Sequence, residues 1–395
     1  MMGAGTAVEL GADVTVFEKN DKTGKKLAIT GKGRCNVTNN CAADEFLTNV
    51  PVNSKFLYTA VNNFTPADTI EFFESLGVPL KTERGNRVFP VSDKASDIVN
   101  ALRKYSRCKI INETVKKLII GDTTVTGLIT NSGEYYFDAV IICTGGKSYP
   151  LTGSTGDGYK FAHQAGIDVT PLRASLVPFE TEESWCKDLQ GLSLKNISVD
   201  IIDTKSGKTV YTDFGEMLFT HFGLSGPVIL SASAHIRDME SGRYKAVIDL
   251  KPALDEKTLD TRLISDFSKY INKNFANSLN DLLPQKMIAV IIGLTGIDPY
   301  KKVNSVTQKE RGTLLNLMKN LTLTIKGFRP IDEAIITSGG VSVKELDPRT
   351  MRAKKISGLY FAGEVIDVDA YTGGFNLQIA FSTAVTAARG AVYDD

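Results

Sequence analysis

The stretch that most constrains the fold of this chain is "GLYFAGEVIDVDAYTGGFNLQIAFSTA", residues 358–384. An apolar strand ends there in Gly-Glu, and after a loop Gly373 and Gly374 open a helix. Beyond Leu377, apolar side chains recur at i+3, i+4, i+7, i+8 and i+11, which is one face of a helix. An alanine-rich core helix explains this periodicity but not the Gly-Gly-Phe-Asn start. The free N–H groups of a helix N-terminus therefore predict a ligand that carries negative charge.

The first twenty residues are typical of the second half of a nucleotide-binding unit. A helix rich in small residues ends at Gly11, and a β-branched strand runs from Val14 to Glu18. In such a unit the acid after the second strand accepts hydrogen bonds from a ribose, about 20 residues beyond a G-x-G-x-x-G loop. Counting back from Glu18 places that loop before Met1, so we expect the first strand and the loop to be absent. Taken by itself, Glu18 is equally well explained as a charged residue at a strand end.

Two glycine-rich segments lie between these two ends of the chain. In the first, "LAITGKGRCNVTNN" (27–40), Gly31 and Gly33 allow the backbone to approach a flat or anionic ligand closely. The lysines around its start, which include Lys19 and Lys26, are suited to phosphate charge. An ordinary turn is the alternative interpretation of this segment.

The second segment, "VIICTGGKSYPLTGSTGDGY" (140–159), places a buried strand directly before Thr-Gly-Gly. Nucleotides bind at the carboxyl ends of strands in doubly wound α/β folds, although an ordinary loop between a strand and a helix has the same pattern. An acid, a glycine loop, strand–Thr-Gly-Gly and strand–Gly-Glu–helix thus follow one another in that order. Together they predict FAD as the cofactor.

Charge and composition argue against several classes of protein, including nucleic-acid-binding, membrane and metal-binding proteins. The chain has 395 residues and a formal net charge of +1, which argues against nucleic acid as a partner because such binding usually needs a basic face. No apolar run reaches the roughly 18 residues that span a membrane. The five cysteines form no C-x-x-C pair and the three histidines form no cluster, so we predict a reduced, cytoplasmic protein without a metal site.

The predicted secondary structure changes along the middle of the chain. Residues 108–143 carry short strands separated by turn signals, which predicts a β-meander followed by a buried parallel strand. Residues 168–252 are rich in strands, with a hairpin turn at Ser206 and Gly207. Residues 256–320 turn to helical periodicity.

Several long motifs resemble one known family, the YhiN/BaiN-like bacterial flavoproteins, which are also described as NAD(P)/FAD-dependent oxidoreductases. These motifs cover nearly the whole chain: "KLAITGKGRCNVTN", "TGGKSYPLTGSTGDGY", "GEMLFTHFGLSGP", "ITSGGVSVKELDPRTM" and "GLYFAGEVIDVDAYTGGFNLQIA". The resemblance implies an α/β fold with a Rossmann-like FAD-binding domain of the two-dinucleotide-binding type, lacking its first strand and GxGxxG loop. We place this domain at 1–185 and 325–395, an inserted β-rich domain at 186–252 and a small helical subdomain at 253–324.

The resemblance also implies which residues bind the cofactor. The "GRCN" and "GGFNLQ" segments would lie near the flavin, and Val115 would reach the adenine through its backbone. The predicted cofactor-binding residues are Glu18, Lys19, Lys26, Arg34, Cys35, Asn36, Val115, Thr144, Gly145, Gly146, Gly363, Glu364, Gly374, Phe375, Asn376 and Leu377. We expect replacement of Gly374 or Asn376 to disturb the flavin more than the fold. Because the phosphate loop is expected to be absent, through a start assigned at an internal Met or a shortened gene, we expect weak FAD binding.

Two functions remain open at this point, and a third, a tRNA-modifying flavoprotein, is weaker because it needs a basic surface that the net charge of +1 does not suggest. The first is an FAD-dependent oxidoreductase that transfers hydride between flavin N5 and a small organic substrate. With no second G-x-G-x-x-G in the sequence, NAD(P)H would be a transient donor, or another donor would serve. The second is a non-catalytic or truncated flavin- or nucleotide-binding protein. Members of the family act on different substrates, including unsaturated steroid intermediates and small amines, so no catalytic residue is assigned. Packing is favoured over a redox role for Cys35.

Overall fold

The structure, a computed structural model, describes residues 1–393 of the chain. Within them the twelve α-helices are α1 (Met2–Glu9), α2 (Lys25–Ile29), α3 (Ala43–Thr48), α4 (Tyr58–Asn63), α5 (Pro66–Ser75), α6 (Ala95–Ser106), α7 (Asp157–Gln164), α8 (Pro227–Ser233), α9 (Glu256–Lys269), α10 (Gln285–Thr295), α11 (Gln308–Lys319) and α12 (Phe375–Tyr393). The eighteen strands of the same part of the chain are β1 (Thr15–Phe17), β2 (Thr38–Asn39), β3 (Leu80–Glu83), β4 (Arg87–Pro90), β5 (Lys109–Ile111), β6 (Lys117–Ile120), β7 (Val125–Ile129), β8 (Glu134–Tyr136), β9 (Val140–Ile142), β10 (Arg173–Ser175), β11 (Phe179–Thr181), β12 (Ser193–Asp203), β13 (Lys208–Phe219), β14 (Gly223–Ser225), β15 (Tyr244–Asp249), β16 (Leu321–Phe328), β17 (Ile336–Ser338) and β18 (Leu359–Phe361).

These elements form two compact units. The discontinuous unit comprises Met1–Ser175 and the described residues from Pro330 onward, and the inserted unit comprises Leu176–Arg329. This division differs from the three predicted domains. Strand β11 belongs to the sheet of the inserted unit, and the strands and helices of that unit share one hydrophobic core.

The inserted unit is built on a closed barrel with the strand order β11–β14–β13–β12–β15–β16. Its long hairpin β12–β13 turns at Ser206 and Gly207, as the sequence predicts, and Gly207 has a φ of +66°. Closure of the barrel pairs each strand on both edges. The predicted helical segment is confirmed as α9, α10 and α11, which contribute Leu263, Met287 and Leu314 to the same core as the barrel.

The parallel strands of the discontinuous unit form two short pairs. Strand β1 pairs with β5, and β9 pairs with β18, both in parallel register. Within residues 1–393, β1, β5 and β9 each have only one strand neighbour. The predicted meander is confirmed as the antiparallel sheet β6–β7–β8. The carboxyl ends of β1, β9 and β18 carry Glu18, Thr144 and Glu364, which are three of the predicted site residues.

Helix ends form where the sequence signals predict them. Helix α5 begins at Pro66, and Thr65 and Asp68 form a capping box in which each side chain accepts a hydrogen bond from the other's backbone N–H. Gly77 follows the helix with a φ of +81°, a conformation that favours glycine. The longest helix, α12, contacts α1, α4, β9 and β18 and so forms the centre of the discontinuous unit.

A fully buried amide, Gln378, ties α12 to its neighbours. Its Oε1 accepts hydrogen bonds from the hydroxyls of Thr38 (2.6 Å) and Thr69 (2.7 Å). Its Nε2 donates to the carbonyl of Phe64 (2.9 Å) and to the hydroxyl of Ser382 (3.0 Å). Such a satisfied buried network has one preferred arrangement, and here it fixes β2 and α5 against the first turn of α12.

Candidate functional site

Glu364, which follows β18, holds three segments of the discontinuous unit together. Its Oε2 accepts a hydrogen bond from Lys26 Nζ at 2.5 Å, and its Oε1 accepts from Ser148 Oγ at 3.1 Å and from the Thr337 N–H at 2.9 Å. Lys26 Nζ also donates to Ser148 Oγ, at 2.7 Å. The side chains of Glu364 and Lys26 are 14% and 24% exposed, so solvent screens their charges less than those of a surface pair. We call Lys26, Ser148, Thr337 and Glu364 the Glu364 cluster.

Lys19, just beyond β1, also has a carboxylate partner. Its Nζ donates to Asp157 Oδ2 at 2.6 Å and to Thr155 Oγ1 at 2.5 Å. Burial by itself would raise the pKa of Asp157, but hydrogen bonds from Lys160 and Lys19 outweigh it and lower that pKa to about 2. Both ammonium groups are therefore paired within the unit, and the expectation that Lys19 and Lys26 bind cofactor phosphate stays a prediction.

Two predicted site residues keep open polar groups. Glu18 Oε1 accepts from the backbone N–H and the side-chain amide of Asn20, at 2.9 and 2.8 Å, and Oε2 has no hydrogen-bond partner in residues 1–393. Val115 lies between β5 and β6, and neither its N–H nor its C=O has a protein partner in the same part of the chain. These open groups have the chemistry that the resemblance implies for ribose and adenine contacts.

The first glycine segment adopts left-handed backbone at four residues. The φ angle is +56° at Gly31, +59° at Lys32, +83° at Gly33 and +60° at Cys35. Lys32 and Cys35 carry a Cβ, so each conformation costs on the order of 1–3 kcal/mol and persists only where its surroundings enforce it. Strain of this kind concentrates at functional sites, which favours a functional segment over an ordinary turn.

Cys35 is completely buried in the core of the discontinuous unit. Burial raises the pKa of its thiol to about 12, so the thiol stays protonated at neutral pH. Because the thiolate is the reactive form of cysteine, this environment favours packing over redox chemistry.

The guanidinium of Arg34 is bound to the hairpin β3–β4. Its Nη2 donates to Glu83 Oε1 at 2.5 Å, its Nε donates to Asp93 Oδ1 at 2.8 Å, and the group lies 4.1 Å above the ring of Phe89. Lys81 Nζ donates to the other oxygen of Asp93 at 2.8 Å. We call these five residues the Arg34 clamp. These contacts hold the guanidinium on its own chain, and the cofactor contact implied for Arg34 stays a prediction.

The start of α12 is also shaped by protein contacts. A Cβ on Gly374 would lie 2.3 Å from the carbonyl oxygen of Thr38, and the φ of Gly374 is +101°. Asn376 Oδ1 accepts from the Ala370 N–H at 2.9 Å, and its Nδ2 donates to the Ala370 carbonyl at 2.8 Å, which closes the preceding loop. Replacing either residue is therefore expected to affect the fold as well, and a larger effect on the flavin stays a prediction.

The neighbouring predicted residues serve packing as well. The Gly363 N–H donates to Thr383 Oγ1 at 2.9 Å, and Gly363 has a φ of +77°. The buried ring of Phe375 lies 5.4 Å from that of Phe46, measured between centroids, and Leu377 packs partly buried against the same core. These contacts position the helix start without supplying an open polar group.

The Thr-Gly-Gly turn after β9 brings its backbone close to the Glu364 cluster. A Cβ on Gly146 would lie 2.4 Å from Thr337 Oγ1 and 2.8 Å from Glu364 Oε1. A Cβ on Gly145 would lie 2.9 Å from Ser154 Oγ. Glycine is therefore required at Gly146 to let this turn pack against the cluster.

Three buried polar side-chain atoms in residues 1–393 have no hydrogen-bond partner: Asn36 Oδ1, Thr144 Oγ1 and Tyr159 OH. All three belong to the discontinuous unit and to its two glycine-rich segments. Buried polar atoms are paired in the large majority of cases, so three together fit a ligand that supplies the missing partners. The set of open acceptors, hydroxyls and backbone groups fits a dinucleotide that carries a flat polar ring.

Sequence reasoning missed three residues of this region. Tyr159 and Ser148 lie inside the "TGGKSYPLTGSTGDGY" motif, and Thr337 lies inside "ITSGGVSVKELDPRTM", so the motifs marked them without indicating their contacts. Burial first, and then the charges of Glu364 and Asp367, raise the pKa of Tyr159. Its hydroxyl therefore stays protonated at neutral pH and is able to donate a hydrogen bond.

Two structural features of membrane proteins and metalloproteins are not found in residues 1–393. None of the helices in residues 1–393 combines the length and apolar character needed to cross a membrane. The same residues contain no group of three or more His, Cys, Asp and Glu side chains placed to hold a metal ion.

Comparison with known proteins identifies the family. A family model described as the HI0933-like protein Rossmann domain matches residues 1–390. The chain is 31% identical over 398 residues to a ribosomal RNA dihydrouridine synthase of Escherichia coli, covering 99% of this chain and 95% of that one. It is 28% identical over 390 residues to a 3-dehydro-bile acid delta(4,6)-reductase of Clostridium scindens, covering 96% and 93%.

One solved structure shares the fold of this chain. The 3-ketosteroid delta1-dehydrogenase of Sterolibacterium denitrificans superposes with a TM-score of 0.52 at 14% identity, covering 100% of this chain and 97% of that one. At this identity the likeness concerns the fold alone. The full-length family match and the motifs agree with each other, and the chain belongs to the HI0933-like Rossmann family, the flavoprotein oxidoreductases that its motifs predict.

Proposed function

We propose that this protein is an FAD-dependent reductase that adds hydride and a proton across a carbon–carbon double bond conjugated to a carbonyl group. The observation that carries the cofactor assignment is the set of three buried, unpartnered polar atoms on Asn36, Thr144 and Tyr159. They lie within the two glycine-rich segments, 27–40 and 140–159, that the family motifs assign to the cofactor. A non-catalytic binding protein is the alternative, and the experiment below separates the two.

The substrate class follows from chemistry that two relatives share. Formation of dihydrouridine saturates the C5–C6 bond of uracil, which is conjugated to the C4 carbonyl. A 3-dehydro-bile acid with delta(4,6) unsaturation has double bonds conjugated to the C3 carbonyl. In both reactions the carbonyl withdraws electrons from the double bond, so its far carbon accepts hydride and its near carbon accepts a proton.

Several residues of the discontinuous unit would hold the cofactor. Glu18 would accept ribose hydroxyls with its open Oε2, and Val115 would pair with the adenine edge through its free backbone groups. Asn36 and Thr144 would each gain a missing hydrogen-bond partner on binding. Bound FAD supplies the two-electron carrier that the chain's own side chains lack.

The Glu364 cluster would keep these segments in place. Lys26, Ser148 and the Thr337 N–H all bind the Glu364 carboxylate, so four separate segments of the unit share one charge-assisted network. Its role is to orient the glycine-rich segments around the ring. The electron donor would be NAD(P)H in a transient contact, or another reductant, because the sequence has no G-x-G-x-x-G loop for a nicotinamide cofactor.

Anaerobic kinetics tests the proposal. The full chain, loaded with FAD and reduced with dithionite, is mixed with a uridine-containing ribosomal RNA fragment or with a 3-oxo-delta4 steroid, and flavin reoxidation is followed by absorbance. The relatives at 31% identity make uridine the first substrate to test, although the net charge predicts no nucleic-acid partner. We expect faster reoxidation with one of these substrates and a product heavier by two hydrogens.

Matched saturated compounds provide the control. The same RNA fragment with dihydrouridine in place of uridine, and the saturated 3-oxo steroid, lack the double bond and should not reoxidise the flavin. Reoxidation by neither unsaturated substrate, from a protein that binds FAD stoichiometrically, would support the binding-protein alternative. Reduction of the oxidised flavin by small amines would instead identify an oxidase or dehydrogenase.

A further inference from the structure

Arg34 lies two residues before Asn36, whose buried Oδ1 has no hydrogen-bond partner in residues 1–393. Between them Cys35 is left-handed, with a φ of +60°, and has no exposed surface. The backbone of this segment bonds within itself, from the Arg34 N–H to Gly31 and from the Cys35 N–H to Thr30. Beyond the turn, the Val37 N–H donates to the Val88 carbonyl of β4 at 2.8 Å, and β2 then pairs with β4. Within the turn itself, Arg34 adds a side-chain anchor to the same sheet.

The anchor is a two-sided contact. Arg34 Nη1 and Nη2 donate to both oxygens of Glu83, at 3.3 and 2.5 Å, while Nε and Nη2 donate to Asp93 Oδ1 at 2.8 and 2.6 Å. The ring beneath it, Phe89, is only 4% exposed. A planar guanidinium can bind two carboxylates and stack on a ring at once, whereas an ammonium group cannot reproduce this geometry.

The charges of the clamp balance. Two carboxylates face two cations, Arg34 and Lys81. Hydrogen bonding from Arg34 is the main cause that lowers the pKa of Glu83, and hydrogen bonding from Lys81, followed by Arg34, lowers that of Asp93. Both carboxylates are therefore ionised at neutral pH.

We propose that Arg34 is a positioning residue of the cofactor site, which acts through Asn36. The clamp holds the left-handed turn Gly31–Cys35 on the hairpin β3–β4, and the turn keeps the buried Asn36 amide oxygen without a protein partner, so that FAD would supply one. This inference rests on the proposed FAD-dependent function. It replaces direct contact between Arg34 and the flavin with an indirect role.

A double-mutant cycle on the full chain tests this inference. FAD affinity is measured by titration for the wild type, Arg34→Met, Asn36→Ala and the double variant, and the visible spectrum of bound flavin is recorded for each. We expect each single variant to bind FAD about tenfold more weakly, the equivalent of one hydrogen bond to the cofactor. The double variant should be within about twofold of Asn36→Ala, because Arg34 acts through Asn36.

Further variants separate positioning from general damage. Arg34→Lys should recover only part of the affinity, and Asp93→Asn, at a more exposed position, should weaken FAD by about threefold and also be non-additive with Asn36→Ala. Arg311→Met is the matched control, since it breaks an Arg–Asp pair of 2.6 Å with Asp260 in the inserted unit. It should leave FAD affinity unchanged.

The outcomes distinguish this inference from the proposed function. A wild-type chain that binds no FAD would remove the proposed function itself. If the wild type binds FAD, then wild-type affinity in Arg34→Met, or additive losses in the double variant, would overturn the role of Arg34 alone. Should Arg34→Met fail to fold, the cycle between Asp93→Asn and Asn36→Ala decides, and additivity there counts against the inference.

Discussion

The inserted unit and the discontinuous unit satisfy their polar groups in different ways. In the inserted unit six strands close into a barrel, and each has a neighbour on both edges. In the discontinuous unit the parallel strands are three residues long and form separate pairs. All three unpartnered buried side-chain atoms of residues 1–393 belong to the discontinuous unit. Within residues 1–393, the inserted unit thus leaves no buried side-chain polar atom without a partner, whereas the discontinuous unit leaves three.

The largest expected effect comes from Gly374→Ala in the discontinuous unit. The new Cβ would lie 2.3 Å from the carbonyl oxygen of Thr38, at a φ of +101° that alanine rarely adopts. We expect the free energy of unfolding to fall by about 3 kcal/mol or more, since strain and a backbone clash add together. Urea unfolding followed by far-UV circular dichroism measures this loss.

Gly293→Ala in the inserted unit is the matched control. Gly293 lies within α10, and apart from its chain neighbours and the backbone of the helix itself, no atom lies within 4 Å of the position of its Cβ. Because alanine favours helix over glycine, we expect this variant to gain up to about 1 kcal/mol. If the Gly374→Ala protein were as stable as the wild type, β2 would have to move away from the new Cβ at little cost. The contact with Thr38 would then not be the reason that glycine occupies position 374.

The second prediction concerns where FAD stabilises the molecule. FAD at 100 times its dissociation constant should stabilise the unit that binds it by about 2.7 kcal/mol. Hydrogen exchange should slow in residues 30–36, 140–159 and 363–376, and remain unchanged in β12 and β13. The single tryptophan, Trp185, lies in the inserted unit and reports that unit separately by fluorescence. Equal slowing of hydrogen exchange in both units would show that FAD does not stabilise the discontinuous unit selectively.

The smallest effect is expected from acid in the inserted unit. Hydrogen bonds from Lys301 Nζ, and then from the backbone and hydroxyl of Thr307, lower the pKa of Glu310 from 4.5 to about 2. A carboxylate with a depressed folded-state pKa stabilises the fold above pH 4.5, and this contribution is lost as the pH falls toward 2. The side chains of both Glu310 and Lys301 are 27% exposed, so solvent limits the size of the effect.

Thermal unfolding followed through Trp185 fluorescence measures this acid effect between pH 5 and pH 2. Glu310→Gln removes the titrating group while keeping a side chain that can accept hydrogen bonds at the start of α11. We expect a weaker dependence on pH in this variant than in the wild type. Identical pH profiles would show that the capping box of α11 contributes nothing measurable to the inserted unit.

Much of the fold can be predicted because its signals are local. Thr65, Pro66 and Gly77 determine the ends of α5 through capping, a fixed φ and a left-handed stop, each within a few residues. The same holds for the hairpin at Gly207 and for the periodicity of the helices in the inserted unit. The division into two units is harder to predict from the sequence, because the common core of the barrel and the helices depends on contacts between residues far apart in sequence.

In the candidate site, too, features that depend on nearby residues can be predicted from the sequence, and contacts between distant residues cannot. Motif spacing predicts which segments form it, and Glu18, Asn36, Val115 and Thr144 retain open polar groups there. Pairing cannot be read from spacing, because a lysine next to a glycine loop suits a phosphate and a carboxylate equally well.

By itself the sequence determined the family, the ends of α5, the meander β6–β7–β8, the hairpin at Gly207 and the helical character of residues 256–320. These properties depend on backbone preferences and apolar patterns that act over a few residues. Only the tertiary structure decided that Lys26 binds Glu364, that Arg34 binds Glu83 and Asp93, and that the space before Gly374 belongs to Thr38. Electrostatic and steric partners are chosen by distance in space, and a linear sequence does not contain that distance.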